Sequence, residues 1–337
     1  MITSRRSLLK SAGFLSGLAG PVIVRRDSYG QRRLIRILLT EIYSDGPAQA
    51  IFSDFANRVG IETNDRIQLV IEHGPQLSAE RILTLIAQNR ADGTVSDPSR
   101  FSNENIAFRV IGDTVGAFDN MHQQYQWLEE SALEISARIY RRLGLHPVAF
   151  MPAPRHYIMA YRRVDTVDRL SGLNLDMGNR LSRDVLTVAG VGELSNPQGR
   201  GPVERESVGY TVSDNIWPGW FERTDLFYLS RPYACPVSAL CLTELQWHQL
   251  ESVDRATVVS QSRRAAVRLR DLYLARQVDT TGRIRQSSIE LVQWNEHNKL
   301  RFRQLTNHVV EKFAENNSEA MEIYLSILAR QHEFGLI

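Results

Sequence analysis

The chain has 337 residues, 43% of them hydrophobic and 23% charged, which is ordinary globular composition with enough apolar mass for about two domains. Its net charge of +2 includes Arg5, Arg6 and Lys10 near the start, and without those three it falls to −1. A near-neutral body gives no electrostatic case for a nucleic-acid partner, and two cysteines, Cys235 and Cys241, six apart in "YACPVSALC", form neither a zinc spacing nor a C-x-x-C redox motif.

The first element is an address. "TSRRSLLKSAGFLSGLAGPVIV" pairs Arg5 with Arg6 ahead of a moderately apolar, acid-free stretch broken at Pro21, the pattern of a twin-arginine export signal over residues 1–24. Lys10 and the glycines leave too short an apolar run for a membrane span. The expected location is therefore the periplasm, as a soluble protein. The two cysteines read as buried thiols; export leaves a disulfide open, although a strand running between them would hold them too far apart to bond.

"RLIRILLTEI" (33–42) then reads as a buried strand, and "GPAQAIFSDFANRVG" as a helix. Ala48, Ile51, Phe52, Phe55 and Val59 share one face of that helix, and Gly60 is its expected stop. "DRIQLVIEHG" returns as a strand and "SAERILTLIAQNRADG" as a helix ended by Gly93, so the chain opens β-α-β-α, the signature of a parallel sheet covered by helices. Residues 125–144 form a strong helix with Leu128, Ala132, Ile135, Ile139, Tyr140 and Leu143 on one face. "HPVAFMPAPRHYIMAYR" follows as extended chain. Residues 162–245 are broken by glycine and proline and carry shorter elements, among them "GLNLDM" and "GYTVSDNI". From Glu244 onward the pattern is helical, including 286–315 and a last helix after the Asn316-Asn317-Ser318 cap.

Catalytic motifs are missing. There is no G-x-S-x-G elbow, P-loop, dinucleotide fingerprint or H-E-x-x-H, and Glu129-Glu130 are adjacent on a helix and so face apart. The eight histidines are scattered singly, so no metal, cofactor or catalytic residue is assigned.

Three stretches together resemble the periplasmic solute-binding proteins of TRAP transporters, the DctP-like family. They are "GPQLSAERILTLIAQNRADG" (74–93), "PRHYIMAYRRVDTVDRLSGLNLDM" (154–177) and "ERESVGYTVSDNIWPGWF" (204–221). The last is followed by "FYLSRPYACPVSALCLTELQWHQLESVDRATV" with its W-x-x-L at Trp247 to Leu250. The resemblance implies a two-domain α/β fold, periplasmic-binding-protein-like and of type II character, with a ligand cleft, crossing strands and long C-terminal helices. It places the first part of domain I at 33–155 and domain II at 156–243. Residues 244–337 complete domain I and brace both domains. It also implies capture of a small polar solute by domain closure for delivery to membrane permease subunits, and residues 286–315 offer a surface for a homodimer.

In the family's register Arg155 takes the first arginine of its second segment, whereas Asp176 stands where the family has an arginine that grips the solute's carboxylate. That inversion of sign leaves three readings. Asp176 meets a hydroxyl, an amine or a metal ion of a different solute; or it orients Arg155 as a buried ion pair while Arg155 holds an acid; or it is a solvated strand end in a site that has been lost. Asp214 and Asn215 fall where the family's second domain supplies polar contacts, although S-D-N is also a good turn sequence. Trp217 and Trp220 are candidates to stack on a ligand or to fill the core. Tyr43 sits at the carboxyl edge of the first strand, where an open sheet faces its cleft. Two rival functions stay open: an exported enzyme on the same scaffold, with Asp176 or Asp214 as general base, and a ligand-free sensor or scaffold.

Overall fold

The computed structural model describes residues 32–40, 46–175, 177, 180–193, 205–213 and 218–337. The export-signal residues 1–24 lie outside them.

The predicted β-α-β-α opening is present. Strand β1 (Arg33–Leu39) leads to helix α1 (Gly46–Glu62), β2 (Ile67–His73), helix α2 (Ala79–Ala87) and β3 (Gly93–Ser96). β1 pairs parallel with both β2 and β3. Helix α1 buries the five residues expected of it, Ala48, Ile51, Phe52, Phe55 and Val59. β1 is not buried on both faces: Ile35, Ile37 and Leu39 are covered, whereas Leu34 is 51% exposed. The reason is position, since β1 lies next to the sheet's edge strand, β2, and only one face there is packed.

Neither glycine expected to stop a helix does so. α1 runs two residues past Gly60, and the chain reverses through Asn64 and Asp65, both at positive φ. α2 starts from a Ser78 cap and ends before Asn89, which takes the left-handed conformation at φ 54°. Gly93 instead begins β3, where a Cβ would lie 2.5 Å from the Cys241 carbonyl oxygen and 2.9 Å from Leu242 Cδ2. Replacing Gly93 by alanine is therefore expected to push β3 away from its neighbour and cost about 1–3 kcal/mol. Urea denaturation reads that loss as a lower midpoint, and an unchanged midpoint contradicts the close approach.

A six-residue helix α3 (Ala107–Gly112) follows, then a long helical passage: α4 (Met121–Trp127), a π turn (Leu128–Ala132) and α5 (Leu133–Arg141). Leu128, Ala132, Ile135, Ile139 and Tyr140 are buried along it, as their spacing predicts. Gly144, at φ 72°, releases the chain into β4 (Leu145–Pro152). After three residues it enters β5 (His156–Ala160), which belongs to a different sheet.

The second lobe contains β6 (Asn174–Leu175), helix α6 (Arg180–Val188), β7 (Gly192–Glu193), β8 (Gly209–Ser213) and β9 (Phe227–Leu229). The chain then returns to the first sheet as β10 (Val237–Thr243), which pairs antiparallel with β3 and β4. The first sheet has the order β2-β1-β3-β10-β4.

Helix α7 (Glu244–Gln249) and the 34-residue α8 (Ser252–Arg285) follow. At ~1.5 Å per residue α8 is about 50 Å long. It packs on α1 and β4 of the first lobe and reaches the second sheet at its far end. Residues 286–315 are not one helix. Glu290–Val292 form β11, parallel to β9, before Asn295 caps α9 (Glu296–Ala314). This gives the second sheet the order β11-β9-β5-β8. Asn317 caps the last helix, α10 (Ser318–Glu333), as the sequence indicates.

One apolar core runs under both lobes. It joins Phe150, Ala239 and Cys241 of the first sheet to Ile158, Ala160 and Leu229 of the second, with α6, α9 and α10 packed over it. Among the described residues no helix is long and apolar enough to cross a membrane.

Candidate functional site at the crossing between the lobes

The chain passes between the two sheets three times: outward through 153–155, back through 230–236, and along α8. The first two passages are stitched together. Ala153 N–H donates to the Pro236 carbonyl at 3.2 Å, His156 N–H to the Ala234 carbonyl at 3.0 Å, and Tyr233 N–H to the His156 carbonyl at 2.9 Å. The backbone at the crossing is thus a short two-stranded ribbon whose polar groups are satisfied.

Arg155 sits at the end of the outward passage and is only 3% exposed. Its Nη2 donates to Gln277 Oε1 of α8 at 2.6 Å, and the guanidinium carbon lies 5.8 Å from the centre of the Tyr157 ring. Tyr157 stacks on Tyr228 with centroids 5.4 Å apart, and both rings are buried. A charge in so apolar a setting is costly unless hydrogen bonds and a counter-charge compensate it. A guanidinium is the group suited to binding a carboxylate or phosphate through two parallel bonds.

Side chains of successive residues along an extended strand alternate faces, so His156 points opposite to Arg155. Its ring lies 6.1 Å from that of Tyr233, whose hydroxyl is 3.0 Å from Thr211 Oγ1. Burial pushes the imidazole down to about 4, so it is neutral at physiological pH, and its buried Nδ1 has no hydrogen-bond partner among the described residues.

The return passage is pinned by two carboxylates. Asp113 is fully buried beyond the end of α3. It accepts from Ser182 Oγ of α6 at 2.5 Å and from the Cys235 N–H at 3.0 Å, while Gln124 donates to the Cys235 carbonyl at 2.6 Å. Burial raises its pKa to about 7; the two hydrogen bonds oppose that shift and the nearby Asp97 adds to it. Asp119 accepts from Arg231 at 2.8 Å and from Arg303 of α9 at 2.6 Å. Burial works to raise its carboxyl, but the hydrogen bond from Arg231 and the two guanidinium charges hold it below the usual carboxylate range.

Of the residues singled out in the sequence, Arg155 is the one these elements position. Asp176, Asp214, Asn215, Trp217 and Tyr43 lie outside the described residues. In the segment that carries Asp176, Leu173, Leu175 and Met177 are buried, as strand alternation predicts, and Asn174 donates to the Ser207 carbonyl at 3.4 Å. Trp220 joins the second lobe's aromatic cluster, against Tyr210 at 4.7 Å and with the Arg223 guanidinium 4.3 Å from its ring centre. Glu129 accepts from Tyr125 while Glu130 pairs with Arg330, so the adjacent acids do face apart. Both cysteines are free thiols; Cys235 is half-buried, and burial of Cys241 pushes its thiol well above the ordinary range. Among the described residues no group of histidines, cysteines and acids could hold a metal ion.

Sequence reasoning missed Gln277, Asp113, Ser182 and His156. For Gln277 a faint signal existed: it lies four residues after Tyr273 and so shares its helix face.

The chain thus forms two α/β lobes joined by paired crossings and a long bracing helix. No family model matches the chain, and no curated protein matches it. Solved structures do match along nearly its whole length. A TRAP periplasmic solute-binding protein from Rhodobacter sphaeroides, in an apo open structure, superposes with a TM-score of 0.77 at 16% identity, over 90% of this chain and 99% of that one. One from Desulfovibrio desulfuricans, with bound sn-glycerol-3-phosphate, gives 0.71 at 12% identity over 89% and 97%. Another from Rhodoferax ferrireducens, with bound malonate, gives 0.70 at 12% identity over 89% and 99%. The chain has the two-domain fold of the TRAP periplasmic solute-binding proteins.

Proposed function

We propose that this protein is an exported solute-binding protein of the TRAP type. In this reading it takes a small acid, carboxylate or phosphate, on Arg155 by closure of its two lobes and delivers it to a membrane permease. The observation that carries the reading is Arg155 itself, a guanidinium 3% exposed, placed where the chain crosses between the sheets. Movement of one lobe on the other changes the space at such a crossing most directly. Closure there removes water from the guanidinium and strengthens its bond to an anion. The fold supports the class, two of the neighbours carry small acids, and the paired arginines of residues 1–24 support export.

The proposed lobes are 33–155 with β10 and the start of the C-terminal helices, and 156–236 with β11. Asp176, Asp214, Asn215, Trp217 and Tyr43 are the further contacts assigned to the solute. The reading has binding without turnover; among the described residues no group of histidines, cysteines and acids could hold a metal ion. Calorimetric titration with a panel of mono- and dicarboxylates that includes malonate, and with sn-glycerol-3-phosphate, tests it. Saturable one-to-one binding at about 1 μM or tighter is expected for at least one acid, and no binding across the panel contradicts it.

A further inference from the structure

Among the described residues, Asp254 is buried against Arg66, and Asp119 is partly covered between Arg231 and Arg303. Asp113 is fully buried and has neutral partners instead: the Ser182 hydroxyl of α6 at 2.5 Å and the Cys235 N–H of the return crossing at 3.0 Å. Its backbone also bridges to Pro236 of that crossing. In the proposed division α3 belongs to the first lobe, α6 to the second and Cys235 to the passage between them, so one carboxyl ties all three. A salt bridge from Arg109 to Asp184 at 3.0 Å joins the same two helices. Asp113 borders a small pocket where α3, α6, α9 and α10 meet, walled by Val110, Leu181, Val310 and Ile327. The charged and titratable groups around the carboxyl and this pocket are Asp97 just past β3, the Arg109–Asp184 pair, the Cys235 thiol and Tyr324 of α10. From α9 come the neutral Thr306 and Asn307. Arg109, the cation in this set, is bonded to Asp184.

An ionised carboxylate so placed has neither water nor a counter-charge, which is a costly state. Protonated on the oxygen facing Ser182, it donates to that hydroxyl and still accepts from the Cys235 N–H. Burial keeps that proton on up to about 7. We propose that Asp113 couples lobe closure to uptake of a proton from solvent, so that the protein captures its acid more tightly as pH falls through neutrality. The proposal rests on the reading of a solute-binding protein that closes on an acid. Ionised Asp113 favours an arrangement in which α6 has drawn off α3 and water reaches the carboxylate. Neutral Asp113 favours the docked arrangement that closure needs. Because proton and solute select the same arrangement, each strengthens the binding of the other.

The test is calorimetric titration of the unaltered chain and of Asp113→Asn with malonate and with sn-glycerol-3-phosphate, at pH 6.5 and pH 8.5. Titration of the solute itself acts alike on both proteins and cancels in the comparison. From pH 6.5 to 8.5 the unaltered chain is expected to lose about 5- to 10-fold more affinity than the variant. That is the scale of a carboxyl holding its proton about tenfold more tightly in one arrangement than in the other. Repeating the titration at pH 7 in two buffers of different ionisation heat counts the protons taken up with the solute, and the unaltered chain is expected to take up more than the variant. If Asp113→Asn fails to fold, the unaltered chain alone decides, since malonate binding without proton uptake at pH 7 overturns the proposal. Equal pH dependence and equal proton uptake in the two proteins overturn the coupling through Asp113 and leave the acid site standing. No binding of either acid by the unaltered chain at either pH overturns the reading of the site beneath it.

Discussion

Replacing Arg155 by methionine is expected to weaken acid binding by about 1,000-fold or more. Methionine keeps an unbranched apolar stem against Tyr157, so packing is largely preserved while the charged fork is removed. Two charge-assisted hydrogen bonds to one carboxylate, at ~1.5–3 kcal/mol each, set the scale of the loss. Lysine in its place is expected to recover only part of it. A single ammonium on a flexible stem has to choose between the Gln277 acceptor, which Arg155 reaches at 2.6 Å, and the solute. Calorimetry on both variants measures this. Affinity within about 3-fold of the unaltered chain after Arg155→Met removes Arg155 from the site, since even one charge-assisted bond is worth more than that.

The second large effect is on stability and its dependence on pH. Asp113 is enclosed by α3, α6 and the return crossing, with Ser182 and the Cys235 N–H as donors and the Asp97 carboxylate as a charge acting on it. Its carboxyl is raised to about 7 in the folded protein, against an ordinary value of ~4 in an unfolded chain. The folded state therefore binds this proton more tightly than the unfolded one. Stability from the neutral carboxyl is fully present below pH ~4, is lost as pH rises from there through about 7, and is flat above. The accumulated cost of ionisation above that window is about 4 kcal/mol.

Asparagine at 113 keeps the shape and an acceptor for the Cys235 N–H, and it cannot ionise. Asp113→Asn is expected to match the unaltered protein near pH 4 and to exceed its unfolding free energy by several kcal/mol at pH 8.5, as urea titrations would show. Equal stabilities at both pH values contradict a buried, near-neutral Asp113.

The parts of the fold legible in the sequence were those fixed by local pattern. The apolar face of α1, the strand-helix alternation up to β3 and the Asn317 cap all follow from period and capping chemistry, which act within a few residues. What escaped was decided at long range. Gly93 looks like a helix stop, but its lack of a side chain serves the approach of Cys241 in β10. The strand β11 is three residues long within an apparently helical stretch, and it exists because β9 offers an edge to pair with. In the site, Arg155 was found by resemblance to a family motif. Gln277 lies 122 residues from Arg155, and Ser182 lies 69 from Asp113, so no local signal links either pair. Asp176, where the resemblance implies an arginine, lies outside the described residues.

The most direct test of the central claim is mass spectrometry of what the protein, purified from a periplasmic extract, releases on denaturation. One small carboxylate- or phosphate-bearing molecule per chain, recovered unchanged when returned to the refolded protein and released again, is the predicted result. A protein that releases nothing, and whose melting temperature does not move with any acid, contradicts capture of an acidic solute at Arg155.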